Sequence, residues 1–163
     1  MRKFIQNKLK DQKGLTLIEL LAVIVILAII AAIAIPAIGN IIENSRLSAV
    51  KADATNGINA ANIYFTDNPD KTSVTAARLV QDGYLDSAGK LEADGTTAAK
   101  LDATALAAGV TLFSNSNPLK ITTNSIVFSG TKTITFTGAT IDGINGNGVK
   151  GSAVPSTGLT INN

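Results

Sequence analysis

The chain has 163 residues, a formal net charge of +2, and neither histidine nor cysteine. These two absences exclude imidazole and thiolate catalysis, conventional zinc sites and disulfides. The length leaves room for one anchor helix and one globular domain.

The first 14 residues form a basic, polar leader. It has a net charge of +4, because it contains five basic residues and one acid, Asp11. The basic residues are Arg2, Lys3, Lys8, Lys10 and Lys13. Because the whole chain carries +2, the residues after the leader carry −2, and the basic residues among them are scattered. The pattern predicts no specific nucleic-acid surface, and the positive-inside rule places the leader in the cytoplasm.

A long apolar segment follows the leader. Leu20 to Ile35 is a run of 16 apolar residues, and Leu15 to Ile42 has few polar interruptions. As a helix that rises about 1.5 Å per residue, the longer span covers about 42 Å, enough to cross a bilayer core of about 30 Å. We therefore expect a single membrane-spanning helix here.

One carboxylate, Glu19, lies near the start of this segment. A charged side chain in lipid costs at least about 2.5–3.5 kcal/mol, so it needs a cationic partner. The only small residue at the boundary between charged and apolar residues is Gly14. A cut after Gly14 would remove the leader and create an α-amino group at Leu15, one helical turn from Glu19, which could pair with a carboxylate of this chain or of a neighbour.

The sequence Gly14-Leu15-Thr16-Leu17-Ile18-Glu19-Leu20 resembles the leader and methylation signature of type IV pilins and pseudopilins. The resemblance implies that a prepilin peptidase cleaves after Gly14 and N-methylates Leu15, where leucine replaces the commoner phenylalanine. It also implies that Glu19 binds the terminal amine of an adjacent subunit during filament assembly. Pro36 corresponds to the family's helix-bending proline.

The helical pattern continues beyond Pro36, where we expect a kink rather than a helix end. Apolar residues then recur every three or four positions and define one buried face: Leu47, Val50, Ala54, Ile58, Ala61 and Phe65. Glu43 and Arg46 are close enough for a weak pair. Gly57 is a weak point within the helix, which ends before Asn68-Pro69-Asp70.

A short helix is predicted from Thr72 to Leu85, capped near Ser73 and ended at Gly83. Its core-facing residues would be Val74, Ala77, Val80 and Tyr84. Residues 86–108 are small and polar, and they are interpreted as a surface connection with at most one weak helical turn.

From Val110 the hydrophobic period changes to two, which is typical of strands. The predicted strands are Val110–Phe113, Leu119–Thr122, Ser125–Phe128, Thr133–Thr137 and Gly158–Ile161. A hairpin loop is expected at Ser129-Gly130-Thr131-Lys132.

The expected fold class is therefore α+β, with a long bent N-terminal helix packed against a C-terminal antiparallel β-meander, the type IV pilin fold. The expected division of the chain is a cleaved leader (1–14), a transmembrane or filament-core helix half (15–42) and a globular domain (43–163). That domain would comprise an amphipathic helix half (43–67), a short helix and connection (68–108) and the sheet (109–163).

No catalytic or cofactor site is predicted. Asp142 begins a glycine-rich stretch that only superficially resembles a calcium loop, because Ile144 stands where an oxygen ligand is required, so calcium is a weak hypothesis. Asp82 with Asp86, and Asp67 with Asp70, are near pairs at helix ends, where solvated acids are common.

The resemblance implies a structural pilus subunit rather than an enzyme. Its partners would be further copies of itself and other pilins, the prepilin peptidase, the assembly ATPase and platform, and the cytoplasmic membrane. The precursor would be a single-pass membrane protein and the product an extracellular filament for adhesion, motility or DNA uptake. The alternatives are a pseudopilin of a type II secretion or competence system, a DNA-binding receptor pilin, and a membrane-tethered enzyme.

Overall fold

The computed structural model describes the backbone of residues 2–91 and 111–162, and the side chains of residues 17–91 and 111–162. It divides into two compact units, Met1–Asn40 and Ile41–Asn163. The first unit is entirely helical over its described residues. The second combines the end of that helix with six strands and two short helices, which confirms the α+β fold class.

Helix α1 extends over Arg2–Asp67 and includes Pro36 in its interior. It ends at Asp67, as the Asn-Pro sequence after it predicts. Its C-terminal part buries the predicted apolar face, because all six residues of that face are at most 6% exposed. Ala60 and Tyr64 extend the same face.

The segment after α1 begins as a strand rather than as the predicted helix. Strand β1 is Ser73–Thr75, and helix α2 is Ala76–Gln81, capped by the Thr75 hydroxyl, which accepts a hydrogen bond from the Arg78 amide at 3.2 Å. The prediction of a cap near Ser73 was wrong because residues 73–75 pair with strand β2.

The predicted core-facing residues are confirmed only in part. Val74 is buried, and Val80 and Tyr84 pack against the core as predicted. The buried residues of α2 itself are Ala76 and Leu79, while Ala77 is only partly covered. The later helix start shifts the core-facing side of α2. Gly83 follows the helix with a φ of 80°, a conformation that glycine adopts without strain and that agrees with the predicted end.

The remaining strands are β2 (Leu112–Ser114), β3 (Lys120–Thr122), β4 (Ile126–Ser129), β5 (Lys132–Thr137) and β6 (Leu159–Asn162). Each lies within two residues of a predicted strand. The predicted hairpin loop is confirmed, since Ser129 pairs with Lys132 across Gly130 and Thr131. Of the predicted connection 86–108, only residues 86–91 are described, and Gly89–Leu91 forms a 3₁₀ turn.

The strands form two three-stranded sheets, β1-β2-β3 and β4-β5-β6, instead of one meander. A bridge between Ile121 and Ala139 joins β3 to the end of β5. Strand β6 runs parallel to β5, which departs from the antiparallel order expected from the sequence. The chain between β5 and β6 contains helix α3 (Ile141–Gly146) and a 3₁₀ turn (Gly151–Ala153), and this length permits a return crossing.

The core of the second unit lies between α1 and the two sheets. Phe113, Ile121, Ile134 and Phe136 are each 0% exposed. They belong to the same buried cluster as the apolar face of α1. The helix and the sheets therefore bury each other's apolar surface, as expected for a two-layer domain.

Candidate processing and assembly site

The helical segment from residue 17 to residue 42 is almost entirely exposed. Sixteen large hydrophobic side chains in it, from Leu17 to Ile42, have between 45% and 71% of their surface exposed. Among the described residues, one helix, Leu17–Asp67, is long and apolar enough to cross a membrane. No described part of the chain covers these side chains, and an apolar surface of this extent is typical of a membrane or protein contact site.

Gly14, Leu15 and Glu19 all lie in helix α1. Four helical residues separate position 15 from Glu19, a rise of about 6 Å, so a terminal amine at Leu15 would be one turn from the carboxylate. The two ion pairs between described side chains are Arg78–Asp82 and Glu43–Lys132, and neither involves Glu19. Glu19 is exposed within an otherwise apolar surface.

Pro36 lies in the interior of α1, and helical geometry continues on both sides of it. Proline has no backbone N–H, so the carbonyl of Ala32 lacks its usual helical donor. The predicted continuation of the helix past Pro36 agrees with the structure.

Glu43 pairs with Lys132 rather than with Arg46. The Lys132 ammonium lies 2.8 Å from Glu43 Oε2, and the Arg46 guanidinium instead donates to Ser129 Oγ at 3.5 Å. The predicted Glu43–Arg46 pair was wrong because the β4–β5 hairpin brings other partners to this side of α1. The spacing of residues along a helix predicts pairs within that helix and gives no information about partners from the hairpin.

The segment between α3 and β6 is tied to α1 by several polar contacts. Lys132 Nζ also donates to the carbonyls of Gly151 and Ser152, at 3.3 and 3.1 Å. Asn44 Oδ1 accepts from both the backbone N–H and the hydroxyl of Ser152. We call residues 147–153 the clamped segment. The contacts of Lys132 join positions 19 and 20 residues apart, and those of Asn44 join positions 108 residues apart, so a local sequence pattern does not predict them.

Lys51 adds another contact between α1 and the clamped segment, since its Nζ donates to the backbone carbonyl of Asn147 at 2.6 Å. Burial lowers the pKa of this lysine from its ordinary value. Beside it lies an open groove of about 410 Å³, lined by Ser48, Lys51, Ala52, Thr55, Asn56, Ile144 and Asn145. The lining carries one charged group, Lys51, which is already bonded to the clamped segment.

One acid of each near pair noted in the sequence has a structural partner. Tyr84 donates its hydroxyl to Asp67 Oδ2 at 2.8 Å, and this hydrogen bond raises the pKa of Tyr84. Arg78 donates to Asp82 Oδ2 at 2.6 Å, and that bond raises the pKa of Arg78. Asp67 therefore joins the end of α1 to the segment after α2, and Asp82 stabilises the end of α2.

Asp142 is exposed in the first turn of α3. The glycine-rich stretch that includes it begins as a short helix over residues 141–146, and the Thr140 hydroxyl caps its first turn by accepting a hydrogen bond from the amide of Gly143. Among the described residues, no three histidine, cysteine or acidic side chains lie close enough to hold a metal ion together.

The described residues comprise one exposed apolar helix, which fits a single-pass membrane anchor, followed by a small α+β domain. Residues 9–35 match the family described as the prokaryotic N-terminal methylation motif. That motif is the signature of type IV pilins and pseudopilins, and it includes Gly14, Leu15 and Glu19. No curated protein and no solved structure shows significant similarity to the chain.

The motif supports a pilin-like or pseudopilin-like precursor, which is a structural subunit rather than an enzyme. The same motif suggests processing by a prepilin peptidase and polymerisation with other pilins. The apolar helix fits a single-pass membrane anchor, and the motif fits a surface filament.

Proposed function

We propose that the chain is the structural subunit of a type IV pilus. A prepilin peptidase cleaves it between Gly14 and Leu15 and methylates the new amine of Leu15. The mature subunit then polymerises through its N-terminal helix into an extracellular filament. The observation that carries the proposal is the methylation motif at residues 9–35, on a helix whose apolar side chains have no partner within the described chain.

The exposed apolar surface has to be covered both before and after assembly, and polymerisation meets that requirement. Full burial of a leucine or isoleucine side chain contributes about 1.5–3 kcal/mol, and sixteen large side chains are exposed between residues 17 and 42. Before assembly, lipid covers them. In a filament, the same side chains of neighbouring subunits cover one another, so the subunit exchanges one apolar environment for another.

Glu19 would determine the register of that exchange. A carboxylate without a partner is penalised in an apolar filament core, whereas one that meets an amine of another subunit is stabilised. The methylated amine of Leu15 is the group that cleavage creates for this purpose. Pro36 would shape the path of the helix between the filament core and the outer domain.

A pseudopilin of a type II secretion or competence system is the alternative, because the motif is common to both classes. The size of the second unit, Ile41–Asn163, favours a pilus subunit over a minimal competence pilin. Long surface filaments made mainly of this chain would support the pilus, while a secretion defect without filaments would support the pseudopilin.

The test combines the mass of the mature N-terminus with electron microscopy of surface filaments. We expect a chain that begins at a methylated Leu15, and filaments that contain it.

The substitution Gly14→Val should leave the leader attached, because a branched side chain would stand at the cleaved bond. A matched variant, Gly148→Ala, changes a glycine with open space around it and should be processed normally. A native chain that retains its first 14 residues would refute the proposal.

A further inference from the structure

The chain contains three Asn-Gly dipeptides, Asn56-Gly57, Asn145-Gly146 and Asn147-Gly148. Such dipeptides are chemically labile because glycine has no Cβ, so its backbone nitrogen can reach the side-chain amide of the preceding asparagine. The structure places the three pairs in different environments, and it therefore predicts different reactivities.

Two of the pairs are held in helices. Asn56-Gly57 lies inside α1, with Gly57 buried, and Asn145-Gly146 lies in α3. In a helix the backbone N–H of each residue donates to the carbonyl four residues earlier. The nitrogen that would have to attack is therefore engaged, and both pairs are protected.

Asn147-Gly148 lies just outside a helix. Asn147 is the C-terminal cap of α3, with φ −73° and ψ 100°, an extended conformation. Gly148 is exposed, and no heavy atom lies within 4 Å of the place where a Cβ would stand. The nitrogen of Gly148 is therefore outside the hydrogen bonding of α3, and open space surrounds the glycine.

Two donors act on Asn147 itself. Lys51 Nζ donates to its backbone carbonyl oxygen at 2.6 Å, and the backbone N–H of Val149 donates to its side-chain Oδ1 at 3.2 Å. The ammonium stabilises negative charge on the peptide group between Asn147 and Gly148, so the N–H of Gly148 loses its proton more readily. The Val149 N–H polarises the side-chain carbonyl and stabilises the oxygen anion that forms when this carbonyl is attacked.

We propose that Asn147 is a site of spontaneous deamidation that Lys51 promotes. The Gly148 nitrogen, having given its proton to water, forms a bond to Asn147 Cγ; the Cγ–Nδ2 bond breaks, and the amide group leaves as ammonia with a proton from water. Water then opens the cyclic imide at either carbonyl, which yields aspartate or isoaspartate at position 147. No oxidant or enzyme is required.

Aspartate or isoaspartate at position 147 changes the charge of the clamped segment. Either outcome adds a carboxylate to the residue whose backbone carbonyl Lys51 holds, and isoaspartate also lengthens the backbone at that point. A subunit in a long-lived assembly would therefore acquire, with age, a new negative charge on the segment that Lys132 and Asn44 tie to α1.

The test is incubation of the full-length chain in detergent micelles, followed by peptide mapping. The readouts are the mass gain of amide-to-acid conversion and labelling by an isoaspartate-specific methyltransferase. We expect Asn147 to convert at least about tenfold faster than Asn145 and Asn56, which corresponds to about 1.4 kcal/mol. Equal rates at Asn147 and Asn145 would overturn the proposal.

Variants at Lys51 test whether its ammonium promotes deamidation of Asn147, or whether the exposure of the Asn147-Gly148 pair alone explains the rate. Lys51→Gln should slow conversion of Asn147 about tenfold, whereas Lys51→Arg retains the charge and should remain close to the native rate. If Lys51→Gln converts at the native rate or faster, the ammonium does not promote the reaction and the proposal fails. Gly148→Ala should block conversion, and its circular dichroism spectrum should match that of the native chain, since the added methyl group meets open space.

Discussion

Gly57 shows why a residue that weakens a helix can be required within it. Glycine in a helix interior costs about 1 kcal/mol relative to alanine, and the sequence alone therefore indicates a weak point. In the structure, a Cβ at position 57 would lie 2.5 Å from the ring carbon Cζ of Phe113 and 3.2 Å from a methyl group of Leu91. The glycine allows the β2 aromatic ring to approach the helix backbone.

We therefore predict that Gly57→Ala destabilises the domain. The gain in helix propensity of about 1 kcal/mol is outweighed by overpacking against a fully buried ring, which costs about 1–3 kcal/mol. A net loss of about 1 kcal/mol should appear as a lower denaturant midpoint. Gly146→Ala, a helical position with open space around it, should show no such loss. A Gly57→Ala chain at least as stable as the native one would contradict the packing argument.

The Tyr84–Asp67 hydrogen bond gives a prediction about pH. Because the bond to Asp67 raises the pKa of Tyr84 above the unfolded value of about 10, the folded state holds this proton more tightly. The stability it contributes is fully present below pH 10 and is lost as the pH rises through the folded-state pKa. In a titration of tyrosinate absorbance, Asp67→Asn should shift the transition of Tyr84 to lower pH. Tyr84→Phe should leave only the transition of Tyr64, and this control identifies which transition belongs to Tyr84. If Tyr84 titrates identically in the native and Asp67→Asn chains, the hydrogen bond to Asp67 is not the cause of its raised pKa.

At the level of elements, polar contacts alone hold the clamped segment against α1, because the chain has no cysteine and forms no disulfide. Lys132 joins Glu43 of α1 to the carbonyls of residues 151 and 152, and Asn44 joins α1 to Ser152. The Glu43 and Lys132 side chains are 29% and 22% exposed, so water only partly screens their pairing. Gly151 is buried directly against the backbone of Glu43, which is possible only without a side chain.

Gly151→Ala should therefore detach the clamped segment. Its new methyl group would overlap the backbone carbonyl of Glu43, and no flexible side chain is present that could move away. We expect a loss of about 2–3 kcal/mol in unfolding free energy and faster amide hydrogen exchange across residues 147–153. Gly148→Ala, in the same segment with free space around it, is the matched control. Unchanged exchange in Gly151→Ala would mean that the close approach is not needed.

The sequence predicts elements better than it predicts their partners. The buried face of α1 could be predicted because its apolar residues repeat with the helical period, and the strands because theirs alternate. The start of α2, the parallel pairing of β6 and the Glu43–Lys132 pair could not be predicted. Each depends on contacts between distant residues, and propensity and spacing carry no information about those. Among the site residues, Gly14, Leu15 and Glu19 are recognisable because they form a local motif, while the clamped segment carries no such signal.

For the whole molecule, the main contrast is between a closed domain and an uncovered helix. The second unit buries its own core, whereas the apolar side chains of residues 17–42 remain exposed. Under the proposed function, lipid covers these side chains before assembly and neighbouring subunits cover them afterwards. Glu19 is the one carboxylate among residues 17–42, and in that setting it would limit which arrangements of subunits are allowed.

We predict that Glu19→Ala is cleaved and methylated normally but forms no filaments. Without the carboxylate, a neighbour's terminal amine has no partner, and helices can pack in competing registers. N-terminal mass and electron microscopy of the same cells distinguish the two steps. Glu43→Gln is the control, since its ion pair lies in the domain and a partly exposed pair is worth only about 0–1 kcal/mol. Abundant normal filaments from the Glu19→Ala strain would refute the proposed role.

The parallel position of β6 has a consequence for biosynthesis. Strand β6 is the edge strand of the second sheet, and its residue Ile161 is buried in the core. The sheet is therefore incomplete until residue 162 has left the ribosome. At about 5–20 residues per second, the anchor is therefore synthesised several seconds before the domain can close. During that interval the proposed anchor is complete while the domain is unfinished, and proteases and chaperones have access to the open domain.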